Sequence, residues 1–416
     1  MKKVLNQALL KLMVGKEPQP AVDGSKSVGI DFQDTDIAFR HLSNRSLWRA
    51  YGLFKLMSIP GISQLGPKVL NSALNCHIPV NPIIRHTIFK QFCGGESLAD
   101  CQSTIDELSN RGVGVILDFA TEGLASEVEF DSCSKEVLEN IELAKSNSNI
   151  PFCVFKPTGL APFKLLEKVS EGAMLSEGEK QAWERAKKRY ESICEAAHKA
   201  SVRIFVDAEE TWIQKATDDL VEDLMVRFNQ ERPIVFNTVQ MYRTDRLAYI
   251  ESLYKLSVEK GFHIGLKVVR GAYMEKERDR AEARGYESPI QPTKAHTDND
   301  YDAALDFCIT NGIAICAGTH NEVSTGLTVE LMDREGLQKS DKRVEFAQLL
   351  GMSDNLTYNL SFHGYSSSKY VPYGPIQTVF PYLTRRAEEN SAIDQQTSRE
   401  MDLLAFEMSR RARLTK

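Results

Sequence analysis

Short apolar runs in this sequence repeatedly end in side chains that can bind and orient a small charged molecule. Asp118 ends GVGVILDF (112–119), Lys156 ends FCVFKP (152–157), and Asp207, Glu209 and Glu210 end VRIFVDAEE (202–210). Gln240 ends IVFNTVQM (234–241), Arg270 and Tyr273 end HIGLKVVRGAY (263–273), and His320 and Asn321 end IAICAGTHN (313–321). Tyr370 and Tyr373 belong to SKYVPYG (368–374). A lysine at the edge of an apolar core is costly unless paired, so Lys156 and Asp207 are expected to offset each other. A surface salt bridge is the plainer alternative for that pair, and solvated loop starts account for any single polar ending. The stretch after the last run, PIQTVFPYLTRRAEEN (375–390), reads as a helix with Ile376, Val379, Phe380 and Leu383 on one face. Tyr382, Arg386 and Glu389 share another face, and Arg385 lies four residues before Glu389. Adjacent arginines beside an aromatic suit a small carboxylate, because guanidinium forks bind carboxylates bidentately. On an arbitrary helix the same residues would form a surface lattice of charge pairs.

These positions need a scaffold that gathers them. With VEFAQLLGM (344–352), the runs make eight β candidates, rich in Val, Ile and Phe and apolar almost throughout. Strands buried on both faces of a parallel sheet have this texture. Helical sequence lies between them, as at 177–200 and 244–261. Strand–helix alternation repeated eight times over roughly 280 residues predicts an α/β fold, a distorted (βα)8 TIM barrel whose strand ends converge on one rim. A doubly wound open sheet is the alternative. Its nucleotide-binding form carries a glycine-rich turn after a strand, whereas Gly112 and Gly114 lead into one. The division predicted is an N-terminal helical segment over 1–110, the barrel over 111–395 and a C-terminal helix over 396–416. In the first segment, 34–59 has helical periodicity, with Leu47, Tyr51, Phe54 and Leu56 near one face and Pro60–Gly61 as the stop.

Composition removes several classes. The net charge of −6 argues against a non-specific nucleic-acid binder, which needs a basic surface. No apolar stretch reaches the length of a membrane-spanning helix. Lys2 and Lys3 precede an apolar patch broken by Asn6, Gln7 and Lys11, with no small-residue cleavage site, so 1–16 reads as an ordinary helix. Eight scattered cysteines form no C-x-x-C and fit a reducing compartment. The histidines form no metal-ligand pattern, and no metal is expected.

The run KYVPYGPIQTVFPYLTRRAEEN (369–390) closely resembles the end of the catalytic barrel of the proline dehydrogenases. FVDAEE (205–210), LKVVRGAYMEKER (266–278), QPTKAHTDNDY (291–301) and AGTHN (317–321) agree with that family in order and spacing. The pattern is nearer the stand-alone and mitochondrial type than the bifunctional bacterial type. The resemblance implies non-covalent FAD, hydride transfer from L-proline to flavin N5 to give Δ1-pyrroline-5-carboxylate, and electrons passed to a membrane quinone. It implies that Arg385, Arg386 and Lys156 clamp the proline carboxylate, and that Asp207 holds Lys156. Tyr370, Tyr382, Val268, Ala272 and Tyr273 would wall the ring, and Glu122 would gate the site with Arg385. Gln240, Lys267 and Val269 would contact the flavin ring, with Gly271 allowing close backbone approach. Thr319, His320 and Asn321, helped by Thr293 or Thr297, would face the phosphate or ribityl side, and Glu389 the adenosine ribose. Lys267 and Met274 stand where the bifunctional enzymes carry Arg and Trp. Tyr370 is retained where relatives that prefer hydroxyproline carry a smaller residue, which implies a preference for proline. The expected location is a bacterial cytoplasm or the cytoplasmic face of its inner membrane, with a mitochondrial matrix as the alternative.

Three other readings compete. Lys156 or Lys267 on a strand end could form a Schiff base, as in aldolase barrels. A barrel that keeps the clamp without turnover would be a proline sensor. A folate-reducing flavin barrel would not need the paired arginines. The C-terminal stretch SREMDLLAFEMSRRARLTK (398–416) is expected to pack on the barrel as a helix, with contact to an anionic membrane surface as the alternative.

Overall fold

β-Branched and aromatic residues favour the extended backbone, and each apolar run forms a strand in the computed structural model of the chain. The structure describes residues 29–59, 84–120, 123–383 and 394–414. The strands are β1 (Gly114–Phe119), β2 (Phe152–Phe155), β3 (Arg203–Val206), β4 (Val235–Gln240), β5 (Gly265–Val269), β6 (Ala314–Gly318), β7 (Val344–Leu349) and β8 (Ser367–Tyr373). They pair in parallel in chain order, and β8 closes onto β1 with Ile116 opposite Tyr370. The expected (βα)8 barrel is thus the observed one, and the open sheet is excluded.

Before β1 lie α1 (Thr35–Phe39), α2 (Asn44–Met57) and α3 (Leu98–Ser109). Around the barrel run α4 (Glu127–Ser146), α5 (Phe163–Ser170), α6 (Glu177–Ala200), α7 (Thr211–Phe228) and α8 (Arg246–Lys260). Then come α9 (Met274–Arg284), α10 (Lys294–Thr310), α11 (Glu322–Arg334) and α12 (Asp354–Phe362). Residues 376–383 are helical (α13), and α14 (Asp394–Leu414) ends the described chain. Local sequence sets these limits. Ser176 and Glu179 form a capping box that starts α6, and Gly261, in a left-handed conformation, ends α8. The single helix expected over 34–59 is two, because Ser43 caps a fresh start by accepting the Ser46 N–H.

Alternation along each strand sorts side chains between two layers. Ile116, Phe152, Val154, Phe205, Phe236, Cys316 and Tyr370 are among those that fill the lumen. Phe152 and Phe205 stack at 4.1 Å, and Phe236 meets both edge-on. Gly265 permits this, since a Cβ there would lie 2.6 Å from the Phe236 ring. At the N-terminal ends of the strands, the Arg203 guanidinium lies 3.8 Å over Phe152 and 3.6 Å from Glu345, which also accepts from Ser368. The outward layer, with Leu117, Val206, Val239 and Val268, packs on the helices. α3 packs on β1 and β8, so the helical ring begins before residue 111.

A second apolar cluster joins α1, α2, α13 and α14 across one end of the barrel, through Phe39, Phe54, Phe92, Val379 and Leu404. α14 buries Leu403, Leu404, Ala405 and Met408. Its Arg410 pairs with Glu407 and Asp36, and Arg411 with Glu407 and the Phe39 and Leu42 carbonyls. The helix expected over 396–416 therefore packs inward and starts earlier, at Asp394. No described helix is long and apolar enough to cross a membrane. The described cysteines are buried without a disulfide, while Cys76 and the helix expected over 1–16 lie outside the described residues.

Candidate active site at the barrel mouth

The lumen positions one step above the aromatic layer carry charge. Asp118 follows Ile116 by two residues on β1, Lys156 follows Val154 past the end of β2, and Asp207 follows Phe205 past β3. Lys267 lies at the middle of β5, opposite Thr238 of β4. Lys156 donates to both oxygens of Asp118, at 2.7 and 2.5 Å. Asp207 instead receives the Lys267 ammonium at 2.6 Å and the Tyr370 hydroxyl at 2.6 Å. The expected Lys156–Asp207 pair is thus replaced by two others. The reason is that Asp118, only 2% exposed, would otherwise be a buried anion without a cation.

Asp207 is a hub that ties β3, β5 and β8 together. Burial pushes its carboxyl up, but the charges of Lys267 and Lys156 outweigh that and hold it below the usual carboxylate range. Lys267 also lies 4.5 Å from the Tyr370 ring centre, over its face. Burial first, then the Asp118 and Asp207 charges, push the Tyr370 phenol well above its ordinary value, so it stays a hydrogen-bond donor. The four ionised groups balance in charge. Such a mouth suits a small zwitterion, whose own charges each find a partner.

Beside the hub, Gln240 donates to the Glu209 carbonyl at 2.7 Å. The Glu209 carboxylate accepts from the Thr158 N–H and hydroxyl at 2.9 and 2.7 Å. Burial nevertheless pushes its pKa up to about 7. Val269 reaches the lumen side beside Gly318. Val268 is fully buried in the helix-facing layer, so the expected placement of its side chain in the substrate wall is corrected by strand alternation. Gly271 has φ 123°, and a Cβ there would meet the Tyr242 ring at 2.6 Å. Its close backbone approach is therefore made to Tyr242. Ala272 is exposed and Tyr273, half-buried, leads into α9.

Arg270 organises the next sector. It donates to Asp298 at 2.6 Å, to the Thr319 hydroxyl at 2.8 Å and to Ser324 at 2.9 Å, and lies 4.2 Å over Tyr301. Thr319 also accepts the Asn321 N–H, and Asn321 caps α11 by accepting the Ser324 N–H. His320 Nδ1 shares a hydrogen with Ser353 Oγ at 2.9 Å. Thr293 caps α10 and Thr297 is buried one turn later. Tyr373 turns outward to Asn140 and Glu136 of α4. Tyr382 is buried on α13. Glu122, Arg385, Arg386 and Glu389 lie outside the described residues.

The structure thus gathers Lys156, Asp207, Lys267 and Tyr370 at one mouth, with Gln240 tied to the loop after Asp207. Asp118 was named at a strand end but given no role. Its signal was its place two residues beyond a lumen isoleucine. Arg270 likewise stands at a strand end with no role legible in the sequence, although its five donors in a rigid fork suit a three-way clamp. Among the described residues no group of three side chains suits a metal ion.

A closed eight-stranded barrel with a charge-paired polar mouth at the strand ends places the chain among the (βα)8 barrels, whose enzymes carry their active sites at that rim. The family model described as proline dehydrogenase matches residues 101–399. This chain belongs to the proline dehydrogenase family, and its chemistry is the oxidation of proline. It is similar to the mitochondrial proline dehydrogenase 1 of Dictyostelium discoideum, 32% identical over 427 residues that cover 91% of this chain and 74% of the relative. The carbapenem antibiotics biosynthesis protein CarD of Pectobacterium carotovorum is 36% identical over 323 residues, covering 77% of this chain and 83% of that one. Among solved structures, proline utilization A from Bdellovibrio bacteriovorus, inactivated by N-propargylglycine, superposes with a TM-score of 0.69. At 17% identity, over 94% of this chain and 41% of that one, it shares the fold.

Proposed function

We propose that the chain oxidises L-proline to Δ1-pyrroline-5-carboxylate with FAD as bound oxidant and a membrane quinone as final acceptor, opening proline catabolism. The carrying observation is the Asp207 hub, which holds an ammonium and a phenol at the barrel mouth beside the Lys156–Asp118 pair. Lys156, with Arg385 and Arg386, binds the substrate carboxylate and so selects which face of the ring is presented. Tyr370, Tyr382, Ala272 and Tyr273 wall the ring and exclude water. Glu122 closes over the substrate with Arg385. Asp118, rather than Asp207, orients Lys156.

The donor set fits a flavin. Gln240 offers a buried carboxamide and Lys267 an ammonium beside it. Thr238, opposite Lys267 in register, has a buried Oγ1 with no protein hydrogen-bond partner among the described residues, a donor that a polar ring edge would satisfy. Val269 and Gly271 flank that position. Thr319, His320 and Asn321, with Thr293 or Thr297, hold the phosphate and ribityl side, and Glu389 the adenosine ribose. FAD, when bound, accepts the hydride that leaves the amine-bearing ring carbon. A cation at Lys267 favours the negative charge that reduction brings. Delivery to a quinone brings the enzyme to a membrane surface, which in a bacterium is the cytoplasmic face of the inner membrane.

The test is a visible spectrum of the purified protein before and after L-proline is added without air. Flavin bands that bleach with L-proline, and not with D-proline or NADH, are expected. A colourless protein that cannot be reconstituted with FAD overturns the reading.

A further inference from the structure

The last helix reaches back to the loop proposed to hold the cofactor. Of two adjacent residues of α14, one touches the residue that follows the turn carrying His320 and Asn321, and the other touches Ser353, which bonds the His320 ring. Arg399 pairs with Glu322, the first residue of α11, which Gln33 also approaches at 3.1 Å. Glu400 is buried and accepts the Ser353 backbone N–H at 2.7 Å, with the Ser353 hydroxyl 3.4 Å from the same oxygen. That hydroxyl is the group bonded to the His320 ring. Ser353 has φ 50°, a left-handed conformation that costs energy for any residue but glycine. Glu400 supplies the acceptor for its N–H in that conformation. Nearby, Lys369 pairs with Asp354 at 2.8 Å, so the floor under Ser353 is fixed from β8 as well.

We propose that Glu400 is a positioning residue for the cofactor pocket, fixing the His320 ring through Ser353 while Arg399 fixes the start of α11 through Glu322. The C-terminal helix thereby sets how tightly FAD is held. This rests on His320 being a flavin contact, as proposed above. A ring tied at one nitrogen is held in one orientation, which lowers the ordering cost of whatever contact the ring makes to the ligand. Burial raises the Glu400 carboxyl, against the Ser353 N–H. Neutral or ionised, its oxygen still accepts that N–H.

FAD retention by the purified holoenzyme tests this, read as free-flavin fluorescence on serial dilution. Glu400→Ala should weaken retention about tenfold, the worth of one hydrogen bond to a carboxylate. Glu400→Gln keeps an acceptor oxygen and should restore most of it. Ser353→Ala, which removes only the hydroxyl link, should weaken retention by a similar factor and serves if Glu400→Ala does not fold. In a His320→Ala background, Glu400→Ala should have no further effect on retention, and in the Glu400→Ala single variant the KM for proline at saturating FAD should stay unchanged. Equal losses with and without His320, or unchanged retention in Glu400→Ala and Ser353→Ala, overturn the proposal. A wild-type protein with no affinity for FAD sinks the flavin reading itself and is told apart at the first dilution.

Discussion

Replacing Asp207 with asparagine removes one charge from a carboxylate that holds two donors in place. The Lys267 ammonium lies 2.6 Å from one oxygen, with both side chains 11% exposed, and the Tyr370 hydroxyl lies 2.6 Å from the other. At an effective dielectric of about 20, unit charges about 3 Å apart attract by roughly 5 kcal/mol. Desolvation offsets part of that attraction, but removing one partner of a buried pair leaves the other uncompensated, at about 3–5 kcal/mol. Asparagine keeps an acceptor for Tyr370 or Lys267, so Asp207→Asn should lose about 3 kcal/mol in denaturant unfolding. Lys267→Met in the same chain removes the stranded ammonium, so the double variant should be more stable than Asp207→Asn alone by about 1–3 kcal/mol. Turnover with proline should fall in both single variants. A loss below about 1 kcal/mol in Asp207→Asn, or strictly additive losses in the double variant, would refute the hub.

Three other expectations follow from the mouth and its supports. Glu209 is buried with a pKa raised from 4.5 to about 7, so its contribution is full below pH 4.5 and is lost as pH rises through about 7. That gap corresponds to at most roughly 3 kcal/mol, and Glu209→Gln should flatten the fall in Tm between pH 5 and 8. An unaltered profile would mean that the carboxylate is compensated when ionised. The Tyr370 phenol should make kcat/KM for proline exceed that for hydroxyproline, with Tyr370→Ser narrowing the ratio; comparable values in the wild type would sink the steric argument. Gly271→Ala would force a Cβ to 2.6 Å from the Tyr242 ring at φ 123°. It should cost at least about 2 kcal/mol, and a neutral result would show that the loop simply moves.

The strands were legible because they are buried on both faces, which leaves an uninterrupted apolar run with a polar end. Their limits were less so. The run 202–210 was read as one strand, yet β3 stops at Val206. Asp207 still donates its N–H to the Phe155 carbonyl, and the chain then turns to place Glu209 on Thr158. The break near residue 40 was visible only as a serine that caps better than it propagates. Val268 was read into the site because its neighbours belong there. A period of two puts it on the far side of the sheet from Lys267 and Val269.

The pairing of charges was not legible, and strand register shows why. Phe155 lies opposite Val206, so Lys156 and Asp207 are the next rung up on adjacent strands, which makes them the natural guess. Val206 lies opposite Asn237, and Thr238 opposite Lys267, so Asp207 and Lys267 also share a level, with Thr238 between them. Both lysines are within reach of Asp207, and proximity along the sheet does not choose between them. The choice is made by the second carboxylate. Asp118 is only 2% exposed, and Lys156 donates to both of its oxygens. Asp207 then takes Lys267 and Tyr370. A pairing decided by the least solvated member of a network is a property of the closed barrel, since burial at the mouth exists only once all eight strands have met. The same closure leaves Thr238 with a buried hydroxyl beside the Asp207–Lys267 pair and no protein partner among the described residues, a group that the proposed flavin edge would satisfy.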